Sequence, residues 1–356
     1  MERVMAGQKE WLHRLGRAWV AFFLLGEIVV FSIIGTGFFS ARNFQNILVA
    51  ATTILLLAAG ETFVIITGGI DLSVGFVMGL ACVVSAKIMV MLQAASVSQG
   101  LSILLGCAGA LLFGLLPGLV NGALVAKLRV PPFIATFGMY GVAYGLSEIL
   151  CNNVPISGLP PLVGFIGNGY LLYYLPGKAL TFFSPPQGIS RADIRAMIPL
   201  FPNVFVFSII AVAIFGFILA RTQFGQHIYA IGGNIDAARR AGIPVEKHLI
   251  RVYVISSLFA AFSGVLSTLI FSIGTHTQFA ASLELFAIAA VVIGGASLMG
   301  GKGSILGTAL GVFVLSVLEV GFLMSGILPF YRYIAVGTIL VFAVVIDQLF
   351  PEIVYD

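Results

Sequence analysis

Apolar residues fill this chain in long, nearly continuous stretches, interrupted at short intervals by glycine, proline or a few charges. Runs longer than about 18 apolar residues mark membrane-spanning helices, because a helix satisfies its own backbone hydrogen bonds in hydrocarbon. The pattern predicts ten such segments, over residues 18–36, 46–67, 72–92, 101–126, 131–150, 204–220, 249–272, 284–296, 303–324 and 330–349. The eighth falls short of the ~20 residues that a perpendicular span needs, so it is expected to be broken or re-entrant. The fold class that follows is an all-α, polytopic membrane protein with about ten transmembrane helices, forming one transmembrane domain over 1–356.

Two interruptions are long enough to have a character of their own. Residues 151–203 are rich in Pro, Gly and Tyr, and their LLYYLPGKALTFFSPPQGISRADIRAMI part is too polar and Pro-broken to span; they are expected as an external loop, either a plain connection, or one lying on the membrane or forming a lid. Residues 221–248 are polar and basic and carry a punctuated helix signal. Asn234 is placed to cap it, Asp236 falls in the first turn, Arg239 and Arg240 in the last, Gly242 closes it, and Pro244 prevents its return. A compact helix on the basic side of a membrane protein offers a surface to a soluble partner. Its small and apolar residues Ile235, Ala238 and Gly242 are expected to enter the partner's groove, with the arginines at the rim.

Charge sets the sidedness. With a cytoplasmic tail over 1–17, ten crossings put Arg3, Lys9, Arg14, Arg17, Lys127, Arg129, Arg221, Arg239, Arg240, Lys247, Arg251 and Lys302 on the cytoplasmic side. Arg42, Lys87, Lys178, Arg191, Arg195 and Arg332 fall outside, so the 18 basic residues divide twelve to six in the sense that topology requires. Both termini are then cytoplasmic. The chain is 60% hydrophobic and only 9% charged, too little charge for a soluble surface at 356 residues. No basic stripe with interleaved aromatics points to nucleic acid. Cys82, Cys107 and Cys151 form no framework, and His13, His227, His248 and His276 are scattered, so neither a metal cage nor a catalytic triad is expected. Glu319 is in reach of Arg332 for a structural ion pair.

Two glycine-rich segments punctuate the apolar pattern. Residues 68–75 read GGIDLSVG and break a helix where Asp71 is buried in an apolar stretch. Asp71 is expected to cap the next helix, accepting from the N–H of Val74 or Gly75; contact with a passing solute is compatible with that role. Residues 294–307, GGASLMGGKGSILG, echo the first segment, pairing Gly68–Gly69 with Gly294–Gly295, and point to an internal repeat. Gly68, Gly69, Asp71, Ser73, Gly75, Gly294, Gly295 and Ser297 are the candidate lining of a translocation path. The second segment is no phosphate loop, because a Walker pattern ending at Gly301–Lys302 needs Gly at 296 and Ser or Thr at 303, where Ala296 and Gly303 stand. No cofactor or ATP site is expected on this chain. Gly114, Gly118 and Gly122, and likewise Gly303, Gly307 and Gly311, recur every fourth residue and predict close helix packing within the subunit or against a second copy.

GGIDLSVG at 68–75, FGQHIYAIGGNIDAARRAGI at 224–243 and GGASLMGGKGSILGT at 294–308 together resemble the permease subunit of bacterial ABC importers for ribose, xylose, arabinose, galactose and similar monosaccharides. VPPFIATFGM at 130–139 and PISGLP at 155–160 extend the likeness over about residues 40–349. The resemblance implies a permease in the bacterial inner membrane, paired with a second copy or a partner permease. It also implies a cytoplasmic ATPase and an external sugar-binding protein. Within it, Asn234, Ile235, Asp236, Ala237, Ala238, Arg239, Arg240 and Gly242 correspond to the coupling helix that contacts the ATPase. Residues 176–198 make the external loop longer than the family pattern, which bears on docking of the binding protein. Related permeases carry branched-chain amino acids, nucleosides and a furanosyl signalling molecule. An ion-coupled secondary transporter, for which Asp71 would be the ion site, and an intramembrane enzyme are the readings from other classes.

Overall fold

The computed structural model describes residues 19–275, 282–328 and 330–349. The tail over 1–17 with its four basic residues, His276 and the last residues of the C-terminal tail lie outside the described residues. Helix α1 covers Trp19–Ile34, and α2 (Ala41–Ile66), α3 (Val74–Ala94), α4 (Gln99–Ala126) and α5 (Pro132–Cys151) follow it. Next come α6 (Leu162–Gly167), β1 (Tyr170–Leu175), β2 (Ala179–Phe182), α7 (Arg191–Ala196) and β3 (Ile198–Pro202). The second half holds α8 (Asn203–Arg221), α9 (Gln223–Gly233), α10 (Ile235–Arg240), α11 (Val245–Phe271), α12 (Leu283–Ile293), α13 (Ile305–Met324) and α14 (Phe330–Leu349).

Each of the ten predicted segments coincides with a helix. Among the described residues, seven of these (α2, α3, α4, α5, α8, α11 and α13) are long and apolar enough to cross a membrane, while α1, α12 and the Phe330–Phe342 part of α14 are apolar but shorter. The central helix is α2, buried along nearly its whole length from Ile47 to Ile66. It packs against α8, α11, α12 and α13. In contrast, α4, α5 and α8 carry a buried face and an outward apolar face that includes Leu112, Phe137 and Phe217, as helices bordering lipid do.

The two glycine stripes mark backbone contacts inside the chain. A β-carbon on Gly118 would lie 2.5 Å from the Tyr253 carbonyl oxygen and 2.7 Å from the Val254 Cα, so α4 and α11 touch backbone to backbone there. Gly122 approaches Ile250 in the same way. On the other stripe, Gly307 and Gly311 lie against the backbones of Gly294 and Ala290, seating α13 on α12. Both stripes therefore serve packing within the subunit.

The segment 151–203 corrects the all-α expectation. It folds a three-stranded antiparallel sheet in the order β2-β1-β3, with Leu172 opposite both Phe182 and Leu200. Two local signals cause this. Leu175-Pro176-Gly177-Lys178 makes a turn with proline second and glycine third; Gly177 takes φ +70° and Lys178 N–H donates to the Leu175 carbonyl at 3.1 Å. The flanking YLLYYL and ALTF are rich in aromatic residues and short, as strands are. Helix α7 sits beside this sheet, held by a Ser190–Asp193 capping box and by a 2.6 Å ion pair from Lys178 to Asp193. Lys178, and then the Ser190 hydroxyl and N–H, hold the Asp193 carboxyl down at about 2. Gln45 at the start of α2 donates to the Pro199 carbonyl and fastens β3 to the helical body.

The connections sort onto two ends. At one end, Gly301 N–H donates to the Ile66 carbonyl at 2.8 Å and Tyr229 OH donates to the Gly303 carbonyl at 2.8 Å. At the other, Ile156 and Gly274 exchange backbone hydrogen bonds, and Leu162 N–H donates to Gln99 at 3.3 Å. The grouping of loops is the one that alternating crossings produce.

Candidate functional site

The basic interruption forms two helices rather than one. Thr222 caps α9, accepting from Gly225 N–H at 3.5 Å, a helix start that the sequence pattern of 221–248 did not single out. Helix α10 has the expected ends. Asn234 Oδ1 accepts from Ala237 N–H at 2.9 Å; Gly242 takes φ +81°, its N–H donates to the Arg239 carbonyl, and Ile243 N–H donates to that of Ala238. The orientation of α10 differs from the expectation. Ala238 is buried in a small core of this chain with Ile231 and Val245. The outward face is Ile235, Asp236, Ala237, Arg239 and Arg240. Arg239 pairs with Glu246 at 2.9 Å on the surface, which ties α10 to α11 only weakly. His227 and His248 meet at 3.0 Å, with Phe224 stacked on His248, and fix α9 to the start of α11. Burial raises the Tyr229 hydroxyl above its ordinary value, keeping it a neutral donor to Gly303.

Both glycine segments end a helix by the same closure. After α2, Gly68 takes φ +80° while Gly68 and Gly69 N–H return to the Ile65 and Val64 carbonyls. After α12, Gly295 takes φ +87° while Gly295 and Ala296 N–H return to Val292 and Val291. The echo read from the sequence is therefore real in shape but shifted: Gly68 corresponds to Gly295, because the left-handed residue defines the register. Gly294 serves instead as the contact with Gly307. Ser297 accepts from Met299 N–H at 3.3 Å and shapes the turn that follows.

Asp71 lies in a closed polar knot where α2, α3, α4 and α11 meet. It is 1% exposed. Its carboxylate accepts from Ser73 N–H at 3.0 Å, Ser73 OH at 2.5 Å and Ser256 OH at 3.0 Å. Helix α3 starts at Val74 with Ser73 before it, so Asp71 folds the turn ahead of the helix and does not reach the N–H of Val74 or Gly75. Glu61, from α2, accepts from Asp71 N–H at 3.0 Å, and Asn121, from α4, donates to Ser73 OH at 3.0 Å. Tyr253 completes the knot; a β-carbon on Gly69 would lie 2.6 Å from its hydroxyl. Gly75 is bare for a like reason, since Glu284 of α12 occupies the space beside it. Glu61, Asn121, Tyr253 and Ser256 were not joined to Asp71 by sequence reasoning. Their common signal is a polar side chain inside an apolar run.

Two cavities open toward opposite ends of the helical body. The inner one, about 420 Å3, is lined by Gly68, Gly69, Arg129, Ile235, Arg239 and Tyr253. The outer one, about 870 Å3, lies between α2, α11, α13 and α14 under the sheet, with Asn46, Tyr170, Ser267, Phe271, Glu319 and Arg332 on its walls. Glu319 and Arg332 form the expected ion pair there. Of the candidate path residues, Gly68 and Gly69 face the inner cavity, while Asp71, Ser73 and Gly75 lie in packed protein. Gly294, Gly295 and Ser297 line neither cavity.

The family described as branched-chain amino acid transport system / permease component matches residues 43–344. The galactose/methyl galactoside import permease protein of Escherichia coli strain K12 is 33% identical over 343 residues, covering 94% of each chain. The ribose import permease protein of Bacillus subtilis strain 168 is 34% identical, covering 90% of this chain and 89% of that one. The fructose import permease protein of Rhizobium meliloti is 32% identical, covering 96% of this chain and 87% of its own. No solved structure gives a significant match.

Proposed function

The chain belongs to the branched-chain amino acid transport system / permease component family, and from that premise we propose that it is the membrane subunit of an ATP-driven importer that carries a monosaccharide. The observation that carries the substrate class is the end-to-end similarity to permeases for galactose, ribose and fructose import. The chain crosses the bacterial inner membrane ten times in one transmembrane domain, with both termini in the cytoplasm. The end that holds α9 and α10 faces the cytoplasm, where the outward face of α10 docks a separate ATPase subunit. The nucleotide stays on that subunit, and this chain binds no cofactor of its own. The opposite end, with the sheet of residues 170–202, receives an external sugar-binding protein. Two copies, or this chain and a partner permease, complete the membrane unit. In this reading the knot around Asp71 is the closed section of the path between the two cavities, and the glycine break after α2 is where the path opens to the inner one.

The test is uptake by the complete transporter in liposomes with ATP trapped inside. Sugar should accumulate only with ATP, its binding protein and all subunits present. Uptake driven by a proton or sodium gradient without ATP would overturn the reading, and uptake of leucine in preference to any sugar would overturn the substrate class.

A further inference from the structure

Resting on the carbohydrate reading above, we propose that the outer cavity is the site at which each copy of this chain accepts a monosaccharide ring. A sugar ring has hydroxyls around its edge and C–H groups on its faces, so its site needs both fixed polar groups and flat apolar walls. The cavity has about 870 Å3 and supplies both. That volume sits within the ~300–1,000 Å3 of small-molecule pockets. Tyr170, Phe271 and Tyr333 provide the flat walls, and Asn46, Ser267 and Arg332 the polar groups.

Ser267 is the most telling of these. A buried hydroxyl inside a helix ordinarily returns to the carbonyl four residues back, as Thr52, Thr62, Ser147 and Thr268 all do in this chain. Ser267 is 1% exposed, yet its hydroxyl makes no hydrogen bond, and it lies on the cavity wall. A donor and acceptor left over in that place fits a ligand hydroxyl. Arg332 is held in position from two sides, by Glu319 and by the ring of Phe286, whose centre lies 4.0 Å from the guanidinium. A donor fork fixed in this way is suited to orient a ring hydroxyl or ring oxygen. An aliphatic side chain or a lipid tail entering the cavity would leave Asn46, Ser267 and Arg332 unmatched, which disfavours both. Because α2, α11, α13 and α14 all belong to one chain, the site needs no residue from a partner copy.

The experiment uses the assembled transporter with Cys82, Cys107 and Cys151 replaced by serine and Ser267→Cys introduced. A small membrane-impermeant thiol reagent should modify Cys at 267 from outside. Saturating D-galactose, D-ribose or D-fructose, whichever the complex imports, should slow that modification several-fold, and leucine should not. In a second variant, Ser267→Phe, the KM for the sugar should rise several-fold while the ATPase and binding protein still assemble. The proposal is overturned if the reagent does not reach position 267, if the imported sugar gives no protection, or if Ser267→Phe imports with unchanged KM. Should Ser267→Phe fail to assemble, protection of the cysteine variant decides alone. A wild-type complex that imports leucine and no sugar refutes the carbohydrate reading itself, a result distinct from import of a sugar that does not protect the site.

Discussion

At the scale of single residues, Asp71 and Glu61 divide the work of holding the break after α2. Three donors converge on the Asp71 carboxylate, while Glu61 holds the Asp71 N–H. Asp71→Leu strands those donors at a cost of ~1–3 kcal/mol each and should strongly lower the melting temperature of the purified complex. Asp71→Asn keeps an acceptor for Ser73, and the Ser256 hydroxyl can turn to accept, so it should retain most stability and uptake. Glu61→Gln still accepts from Asp71 N–H and relieves two buried carboxylates of their proximity, so it should be at least as stable as the wild type; Glu61→Leu should not. Equal loss in both conservative variants would mean that charge, not hydrogen bonding, is what the knot needs. Helix α10 gives a second contrast. Ala238 faces Ile231 and Val245, so Ala238→Arg disrupts the local core before it can report on a partner. Ala237 faces outward, and Ala237→Arg should leave the permease folded while abolishing pull-down of the ATPase and uptake. Normal pull-down by that variant would remove α10 from the docking surface.

At the scale of elements, the glycine stripes separate contact from exposure. Gly118 meets α11 at backbone distance, whereas a β-carbon on Gly138 in α5 would meet nothing within 4 Å. Gly118→Ala should destabilise by ~1–3 kcal/mol through overpacking. Gly138→Ala should be neutral or gain ~0.4–1 kcal/mol from a less flexible unfolded chain. Thermal unfolding in one detergent checks the sign of each, and a stabilising Gly118→Ala would contradict the packing. The helices themselves were legible because hydrophobic run length dominates their energetics. The sheet was not, because residues 170–202 are apolar enough to hide their alternation and the pairing of β1 with β3 spans residues distant in sequence. The closures at Gly68 and Gly295 were legible as breaks but misaligned by one residue, since sequence shows adjacent glycines and not which one turns left-handed.

At the scale of the molecule, the grouping of loops into two ends followed from counting crossings, and the proposed topology, which rests on charge, puts the α10 end in the cytoplasm. Cysteines introduced at Gln226 and Gln187 test that assignment. An impermeant thiol reagent added to intact cells freed of outer membrane should label position 187 and spare position 226; labelling of both would overturn the ten-crossing path. The polar knot and the outer cavity were the least legible features, because Glu61 of α2, Asn121 of α4 and the α11 residues Tyr253 and Ser267 are far apart in sequence and nothing local marks their neighbours.

The contact between α9 and the two glycine segments has a consequence for how this chain can change over evolutionary time. Gly232 lies against the Ile66 carbonyl and the Gly301 N–H, and a β-carbon on Gly300 would lie 2.9 Å from the Gly232 carbonyl oxygen. Each of these glycines is the wall for another, and glycine has nothing smaller to give way to. Substitution at one position therefore has no compensating substitution at the others. In an alignment of permeases that share this fold, positions 232, 300 and 301 should be fixed individually rather than covary, and a functional relative with a larger residue at one of them must have moved α9 away from both breaks.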